Sequence, residues 1–242
     1  DACFCDPPYA LQFMGKDWDR CLPSIEVWRE ILRICKPGAW LLAFGGTRTF
    51  HRLACNIEDA GWTIRDCVMW LHSMGYPKSL NLGKTNAQWD GYGTALKPAW
   101  EPVIVAMKPV DATFVANCAK WGCGGLNIDG CRVGESPGYR YNTNRNGTTF
   151  HGQQGERVKQ TADKAGKEWI ESTKGRWPAN VVLDETTEEM LGECSRFYYC
   201  AKASKRERRE FNDHPTVKPL RLCECICLLF CPKQGRIASG AA

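Results

Sequence analysis

Asp6-Pro7-Pro8-Tyr9, near the start of the 242-residue chain, is the segment whose residue types best suit catalysis. It follows an apolar run, Ala2 to Cys5, that is typical of a buried strand. The prolines have no N–H and restrict the backbone, so the Asp6 carboxylate and nearby carbonyls remain as hydrogen-bond acceptors. Acceptors beside the flat ring of Tyr9 suit a nucleobase that presents its exocyclic amine. A rigid turn with a capping aspartate is the structural alternative.

Alternating strands and helices must position this segment. Ser24 predicts a helix N-cap, and Pro37-Gly38 predicts the end of that helix. The predicted elements after the first strand are a helix over 24–36, a strand over 39–44, a helix over 47–61 and a strand over 63–71. Such alternation indicates α/β architecture with a parallel sheet covered on both faces. Ligands of these sheets bind beyond the carboxyl ends of the strands, which is where Asp6 is expected.

The pattern changes after Ser73. Residues 73–180 are mostly polar and rich in glycine, apart from a predicted strand over 100–107. Such a stretch between regular elements is either a binding insert or disordered. A strand over 196–201 and a final helix over 220–230 are predicted to return to the sheet. Trp89, Trp100 and Trp121 lie between residues 73 and 180, and we expect core packing for them rather than exposure on a nucleic-acid-binding surface.

The formal net charge of +5 is concentrated in two segments. Residues 132–176 carry nine basic and five acidic side chains, and residues 202–209 carry five basic and one acidic, so the remainder is net −3. Local basic segments on a slightly acidic chain favour a polyanionic partner, with two solvated loops as the alternative. No apolar run reaches the length of a membrane span, because Glu224 interrupts the longest candidate, and no membrane association is predicted.

Fifteen cysteines at irregular spacing do not form the even framework of a small secreted protein. Cys223, Cys227 and Cys231 share one face of the last predicted helix. We interpret them as a buried face rather than a zinc site, since no paired Cys-x-x-Cys accompanies them. The sequence therefore predicts no metal and a reducing compartment, the cytoplasm.

A second motif lies directly before the last predicted helix: His214-Pro215-Thr216-Val217-Lys218-Pro219-Leu220. With both motifs the chain resembles the amino-group DNA methyltransferases, the N6-adenine and N4-cytosine enzymes that use S-adenosylmethionine. In that family Asp-Pro-Pro-Tyr is catalytic, and the His-Pro-Thr-x-Lys-Pro segment closes the cofactor pocket. Their order matches the permuted beta subgroup. Further segments that resemble phage and bacterial modification enzymes lie at 13–19, 43–48, 96–102 and 199–205.

The resemblance implies a Rossmann-like α/β methyltransferase sheet, incomplete at both ends, with an irregular inserted recognition region. Residues 1–72 would form the catalytic half, residues 73–180 the target-recognition insert, and residues 181–242 the return to the sheet with the cofactor motif. The implied reaction is methyl transfer from S-adenosylmethionine to the exocyclic amine of a flipped base, adenine N6 by preference. The implied setting is a bacterial or phage-infected cell.

The resemblance also implies residue roles. Asp6 and the carbonyl of Pro7 would accept hydrogen bonds from the target amine, Pro8 would stiffen the turn, and Tyr9 would stack on the base. The implied cofactor-binding residues are His214, Thr216, Lys218 and Pro219. For Lys218 we expect contact with the methionine end of the cofactor. The expected phosphate contacts are Arg48, Lys78, Lys84, Lys202, Lys205 and Arg206. Double-stranded DNA is the implied partner, and a dimer and a cognate restriction endonuclease are further partners to consider.

Two features depart from the family pattern. A glycine-rich turn, Phe-x-Gly-x-Gly after Asp-Pro, normally follows the last predicted helix, whereas this chain continues with Gly235-Arg236-Ile237-Ala238-Ser239-Gly240-Ala241-Ala242. The family's segment upstream of the first strand is also missing. We therefore expect a fragment with one unpaired sheet edge, which binds S-adenosylmethionine negligibly by itself.

Three other functions remain open from the sequence. The chain could be an N4-cytosine enzyme, a non-catalytic DNA-binding relic, or a methyltransferase of RNA or protein glutamine, whose families use a related Pro-Pro-Tyr turn. The basic insert and the downstream motif favour DNA.

Overall fold

A mixed β-sheet with helices on both faces organises the larger part of the chain. The computed structural model describes residues 1–12, 15–72, 75–77, 79–133, 138–141, 169–172, 175–184, 198–199, 217–232 and 235–241. These residues fall into two compact units, of which the larger comprises Asp1–Asn127 with Ala179–Ala242 and the smaller Ile128–Pro178.

The strands of the larger unit are β1 Ala2–Asp6, β2 Trp40–Phe44, β3 Thr63–Leu71, β4 Trp100–Met107, β7 Val181–Leu183, β8 Tyr198–Tyr199 and β9 Ile237–Ala241. The smaller unit holds an antiparallel pair, β5 Gly138–Tyr141 and β6 Trp169–Ser172. The α-helices are α1 Ile25–Ile34, α2 Phe50–Asp59, α3 Phe114–Trp121 and α4 Leu220–Phe230. Among the described residues the large sheet has the order β8-β7-β3-β4-β2-β1-β9.

The α/β architecture predicted from the sequence is confirmed, but the sheet is not wholly parallel. β4 runs antiparallel to both β2 and β3, whereas the other neighbouring pairs of the large sheet are parallel. The cause lies in the connection between β3 and β4, residues 72–99, whose described part contains only short 3₁₀ turns. Without a crossover helix the chain re-enters the sheet from the edge at which it left.

Each sheet face is covered by different helices. One face packs Phe4, Leu42 and Phe44 against α4, where Leu222, Ile226 and Phe230 are buried. The opposite face packs Leu41, Ala43 and Ile104 against α1 and α2, with Trp28, Leu53 and Ile57 almost fully buried. The alternation of apolar side chains along the central strands therefore stabilises three layers.

β9, a strand that the sequence analysis did not predict, forms one edge of the large sheet. It pairs in parallel with the whole of β1, from Ala2 opposite Ile237 to Asp6 opposite Ala241. The helix that precedes β9, α4, covers one face of the sheet, and the helix that follows β1, α1, covers the other. The boundary between these two strands is thus a topological switch point, where open α/β sheets form their ligand crevice.

The expectation of core packing is wrong for one of the three tryptophans. Trp89 was expected in the core, but its side chain is 46% exposed and stacks edge to face on Tyr92, with centroids 5.3 Å apart. Trp100 and Trp121 are half-buried.

Nowhere in the described part of the chain does a helix have the length and apolar character needed to span a bilayer.

Candidate active site

Asp6 ends β1 at the carboxyl edge of the sheet, and its side chain faces the residue three positions later. The Tyr9 hydroxyl lies 2.9 Å from Asp6 Oδ1. Pro7 is buried and Pro8 half-buried between them, so the turn has little freedom. The structure thus places the Asp6 carboxylate and the Tyr9 hydroxyl together at a strand end, and the predicted catalytic role of this segment stays a prediction.

Lys218 enters the same cluster from the segment before α4. Its Nζ atom lies 3.0 Å from the Tyr9 hydroxyl, 3.2 Å from Asp6 Oδ2 and 2.9 Å from Glu101 Oε2. An ammonium group has three N–H donors, and three acceptors are within reach. The side chain is only 10% exposed, and its nitrogen also lies 4.9 Å from the Phe44 ring centroid. Binding of a cofactor carboxylate by Lys218 would require that one of these partners be exchanged.

Glu101, the second residue of β4, belongs to the site although no role was predicted for it. Its Oε2 atom lies 3.1 Å from the Tyr9 hydroxyl, and its Oε1 atom lies 3.7 Å from Nε2 of His72. His72 follows β3 and is buried beside Trp70. Glu101 lies in the segment 96–102 that resembles modification enzymes, and this was the available signal.

Burial and the neighbouring carboxylates act in the same direction on the pKa of Tyr9 and in opposite directions on the pKa of Lys218. Burial is the main cause that raises the pKa of Tyr9 well above its ordinary value, with Glu101 and Asp6 adding to the effect, so its hydroxyl stays protonated. Burial alone would lower the pKa of Lys218. The neighbouring carboxylates of Glu101 and Asp6 outweigh it, and the pKa is raised. At neutral pH the site therefore holds a neutral phenol and a charged ammonium.

The turn after Asp6 is fixed by residues outside the motif. Asp19 accepts the main-chain N–H of Tyr9 at 2.7 Å and that of Leu11 at 3.2 Å. The Thr49 hydroxyl donates to the Tyr9 carbonyl at 2.7 Å. Ala10 and Gln12 have positive φ angles, 56° and 49°, which L residues adopt at a cost. The buried carboxylate of Asp19 stabilises this turn, and only its place in the family-like segment 13–19 pointed to it.

The residues at the switch point are compatible with the cofactor that the resemblance implies. Ser239 and Gly240 lie beside Phe4 and Cys5, and the small residues of β9 allow a ligand to approach the backbone. Two carboxylates and one ammonium give Asp6, Glu101 and Lys218 a net negative charge when His72 is neutral. A net negative site suits a sulfonium cation.

The structure brings together six of the predicted residues: Asp6, Pro7, Pro8 and Tyr9 with Lys218 and the buried Pro219. Arg48 is exposed just beyond β2, at the edge where Asp6 lies. Lys84 is exposed in the connection between β3 and β4, which leaves from the same edge. The other predicted residues lie outside the described residues: Lys78, Lys202, Lys205, Arg206, His214 and Thr216.

An α/β sheet with this cluster at a strand end is compatible with many enzymes, and comparison with known proteins gives the family. The family model N6_N4_Mtase, described as DNA methylase, matches residues 1–238, so this chain belongs to that family. Type II methyltransferase M.HindIII of Haemophilus influenzae is 27% identical over 117 residues. This match covers 43% of the chain and 38% of M.HindIII.

Two solved structures are similar at low scores. The complex of M1.HpyAVI with SAM matches at 13% identity and a TM-score of 0.31, covering 86% of this chain and 83% of that protein. A candidate DNA modification methylase from Thermus thermophilus matches at 16% identity and a TM-score of 0.31, with 46% of each chain covered. The family membership rests on the sequence match.

Proposed function

We propose that this chain carries the catalytic residues of a DNA methyltransferase that uses S-adenosylmethionine and modifies the exocyclic amine of a flipped base, adenine N6 by preference. The observation that carries the proposal is the cluster of Asp6, Tyr9 and Lys218 at the switch point between β1 and β9. The preference for adenine follows from Asp rather than Ser before Pro-Pro-Tyr, and N4-cytosine is the alternative.

The residues of the chain account for activation of the amine. Asp6 and the Pro7 carbonyl accept its two N–H groups, which draws the nitrogen lone pair out of conjugation with the ring and toward the methyl donor. S-adenosylmethionine supplies the electrophilic methyl group when it is bound. No strong base is needed, because the cationic amine formed by transfer is acidic and readily loses a proton to Asp6 or water. Tyr9 provides the flat surface on which the base stacks.

The DNA would approach the carboxyl edge of the sheet. Arg48 and Lys84 are exposed on segments that leave this edge, and lysine or arginine contacts to phosphate position DNA without reading its sequence. The connection between β3 and β4 also exposes large side chains that could contact bases: Tyr76, Leu80, Trp89, Tyr92 and Leu96. We assign residues 73–180 to target recognition, and residues 202–209 to phosphate contact on their charge alone.

Asp6→Ala and Asp6→Asn test this function. In the full-length protein that the sequence analysis expects, both variants should abolish methyl transfer in a labelled-methyl assay while DNA binding survives, because the lost carboxylate acts on the amine and not on the DNA backbone. Asp17→Asn, an exposed carboxylate paired with Arg20, is the matched control and should retain activity. Turnover of Asp6→Ala near wild type would remove Asp6 from the reaction.

The product identifies the target. Mass spectrometry of digested DNA separates N6-methyladenine from N4-methylcytosine, and the second product would decide for the cytosine alternative. Full-length wild-type protein that binds DNA but transfers no methyl group would support a DNA-binding function without catalysis.

A further inference from the structure

Glu101 is held in place by the sheet rather than by the catalytic turn. It lies opposite Trp70 of β3, and the next residue of β4, Pro102, accepts the N–H of Gly45 at 2.9 Å. β4 pairs with β3 over its whole length, including Glu101, and with β2 from Val103 onward, so the Glu101 backbone has little freedom. Asp6, in contrast, is the last residue of its strand and leads into the turn that Pro7 and Pro8 form. The site therefore contains one carboxylate on a rigid strand and one at a strand end.

The hydrogen-bond donors of the cluster are shared between these two carboxylates. Oε2 of Glu101 lies 2.9 Å from Lys218 Nζ and 3.1 Å from the Tyr9 hydroxyl. Asp6 reaches the same two groups with separate oxygens, at 3.2 Å and 2.9 Å. The phenol has a single proton, so it donates to only one carboxylate at a time. Both donors can thus be held by Glu101 when Asp6 is engaged elsewhere.

We propose that Glu101 is a positioning residue that holds the Lys218 ammonium and the Tyr9 hydroxyl, so that the oxygens of Asp6 are released to the amine of the target base. This inference rests on the proposed function. On binding of the base, the phenol proton turns from Asp6 Oδ1 to Glu101 Oε2, and Lys218 keeps its shorter ion pair. No covalent bond changes in this step.

The physical need for a second carboxylate follows from burial. Lys218 is 10% exposed, and a buried ammonium without a counter-ion is strongly unfavourable. If Asp6 were the sole partner, each engagement of the amine by Asp6 would leave that charge uncompensated. Glu101 removes this conflict, and the Asp6 carboxylate can exchange its partners at low cost.

Glu101→Gln keeps the size of the side chain and one acceptor oxygen but removes the charge. In this variant Lys218 pairs with Asp6 alone, so the amine must compete for Asp6. We expect kcat to fall about 10- to 100-fold, as for loss of a charge-assisted hydrogen bond, while KM for DNA and the Kd of S-adenosylmethionine stay within about threefold. Glu101→Asp, which keeps the charge, should recover part of kcat. Glu30→Gln on α1, an exposed carboxylate paired with Arg33, is the control.

Titration of Lys218 provides a readout that needs no catalysis. The Cε resonance of Lys218 can be followed against pH in protein labelled with ¹³C-lysine and assigned from Lys218→Arg. Loss of the Glu101 charge should move the titration midpoint to lower pH. The groups that face Lys218 are Asp6 and Tyr9 of the turn and Glu101 of β4, with the Cys223 thiol on α4, while His72 after β3 faces Glu101.

The Cys223 titration must be kept apart from that of Lys218. Burial, the largest cause, raises the pKa of Cys223 to about 11. The series is therefore measured in a Cys223→Ala background as well. In both backgrounds Glu101→Gln should lower the Lys218 midpoint, Glu101→Asp should restore it toward wild type, and Glu30→Gln should leave it unchanged.

The outcomes separate this inference from the proposed function. A lower Lys218 midpoint together with a reduced kcat supports the positioning role. An unchanged midpoint in folded Glu101→Gln, or an unchanged kcat, overturns it. Full-length wild-type protein without methyl transfer contradicts the proposed function only, and the Lys218 midpoint then decides whether Glu101 holds this ammonium.

Discussion

The carboxylate of Asp19 accepts the main-chain N–H of Tyr9 at 2.7 Å, so a residue outside the Asp-Pro-Pro-Tyr segment fixes its last position. Its other oxygen accepts the N–H of Leu11, and Ala10 between them has a φ of 56°. Asp19 is 2% exposed. The buried charge is thus satisfied by the turn that it stabilises.

Asp19→Ala should lower the free energy of unfolding by about 3 kcal/mol, since two N–H groups lose a charged acceptor. Asp17→Ala is the matched control two residues earlier: its carboxylate is 84% exposed and pairs with Arg20 at the surface, so its loss should cost less than about 1 kcal/mol. Urea unfolding of both variants measures the difference. Equal effects would show that the turn holds its conformation without Asp19.

Much of the sheet follows from local sequence. Apolar runs and their flanking turn residues give the bounds of β3, β4 and α4 as the structure has them, 63–71, 100–107 and 220–230. α3 was not predicted, although Thr113 caps it by accepting the N–H of Ala116 and Gly122 ends it with a φ of 72°. Its eight residues are too few for a clear helical period against a polar background.

Contacts between residues distant in the chain could not be predicted from the sequence. The antiparallel direction of β4 depends on the absence of a crossover helix, and the pairing of β9 with β1 joins residues more than two hundred positions apart. Glu101 and Asp19 act through contacts with Lys218 and Tyr9 that no spacing rule encodes. The predicted roles of Lys218 and Pro219 in cofactor binding stay predictions.

Gly38 illustrates a close approach that only glycine allows. Its φ is +78°, and a Cβ atom there would collide with Nδ2 of Asn117. That amide donates to the carbonyls of Pro37 and Cys123, at 3.0 Å and 2.9 Å. Gly122 has a similar φ, +72°, but open space around it.

Gly122→Ala should therefore cost about 1–2 kcal/mol of stability from backbone conformation alone. Gly38→Ala should cost about 2 kcal/mol more, because the two hydrogen bonds of Asn117 are also lost. Chemical denaturation of the two variants isolates the contribution of the contact. Similar costs would mean that Asn117 moves aside freely.

Lys218→Met tests how much the Lys218 ammonium contributes to the free energy of unfolding. Removing the ammonium leaves the carboxylates of Asp6 and Glu101 without their shared partner, and we expect a loss of about 3–5 kcal/mol at neutral pH. The pKa of Lys218 is raised in the folded protein, because the carboxylates outweigh burial. A lysine whose pKa is raised on folding contributes its full stabilisation at pH values below the unfolded pKa of about 10.4. This stabilisation is lost as the pH rises through the folded pKa.

The difference in unfolding free energy between wild type and Lys218→Met should thus stay constant from about pH 7 to pH 9.5 and shrink above about pH 10.5. Denaturant titrations at a series of pH values measure it. A difference that already shrinks between pH 7 and pH 9 would place the folded pKa below the ordinary value of lysine, against the effect of the two carboxylates.

The last prediction concerns DNA binding at the carboxyl edge of the sheet. Arg48 and Lys84 are exposed and belong to segments that leave this edge, whereas Lys202, Lys205 and Arg206 are assigned by charge. Each phosphate contact that is removed should reduce the slope of log affinity against log salt by about one unit and weaken binding to all sequences alike. Fluorescence anisotropy across a salt series measures these slopes for Arg48→Gln, for Lys84→Gln and for the triple glutamine variant of Lys202, Lys205 and Arg206.

Arg33→Gln on α1, exposed and paired with Glu30, is the control and should keep the wild-type slope. A variant whose slope equals that of the control carries a solvated side chain rather than a phosphate contact, and a change confined to one DNA sequence would assign that residue to base recognition instead.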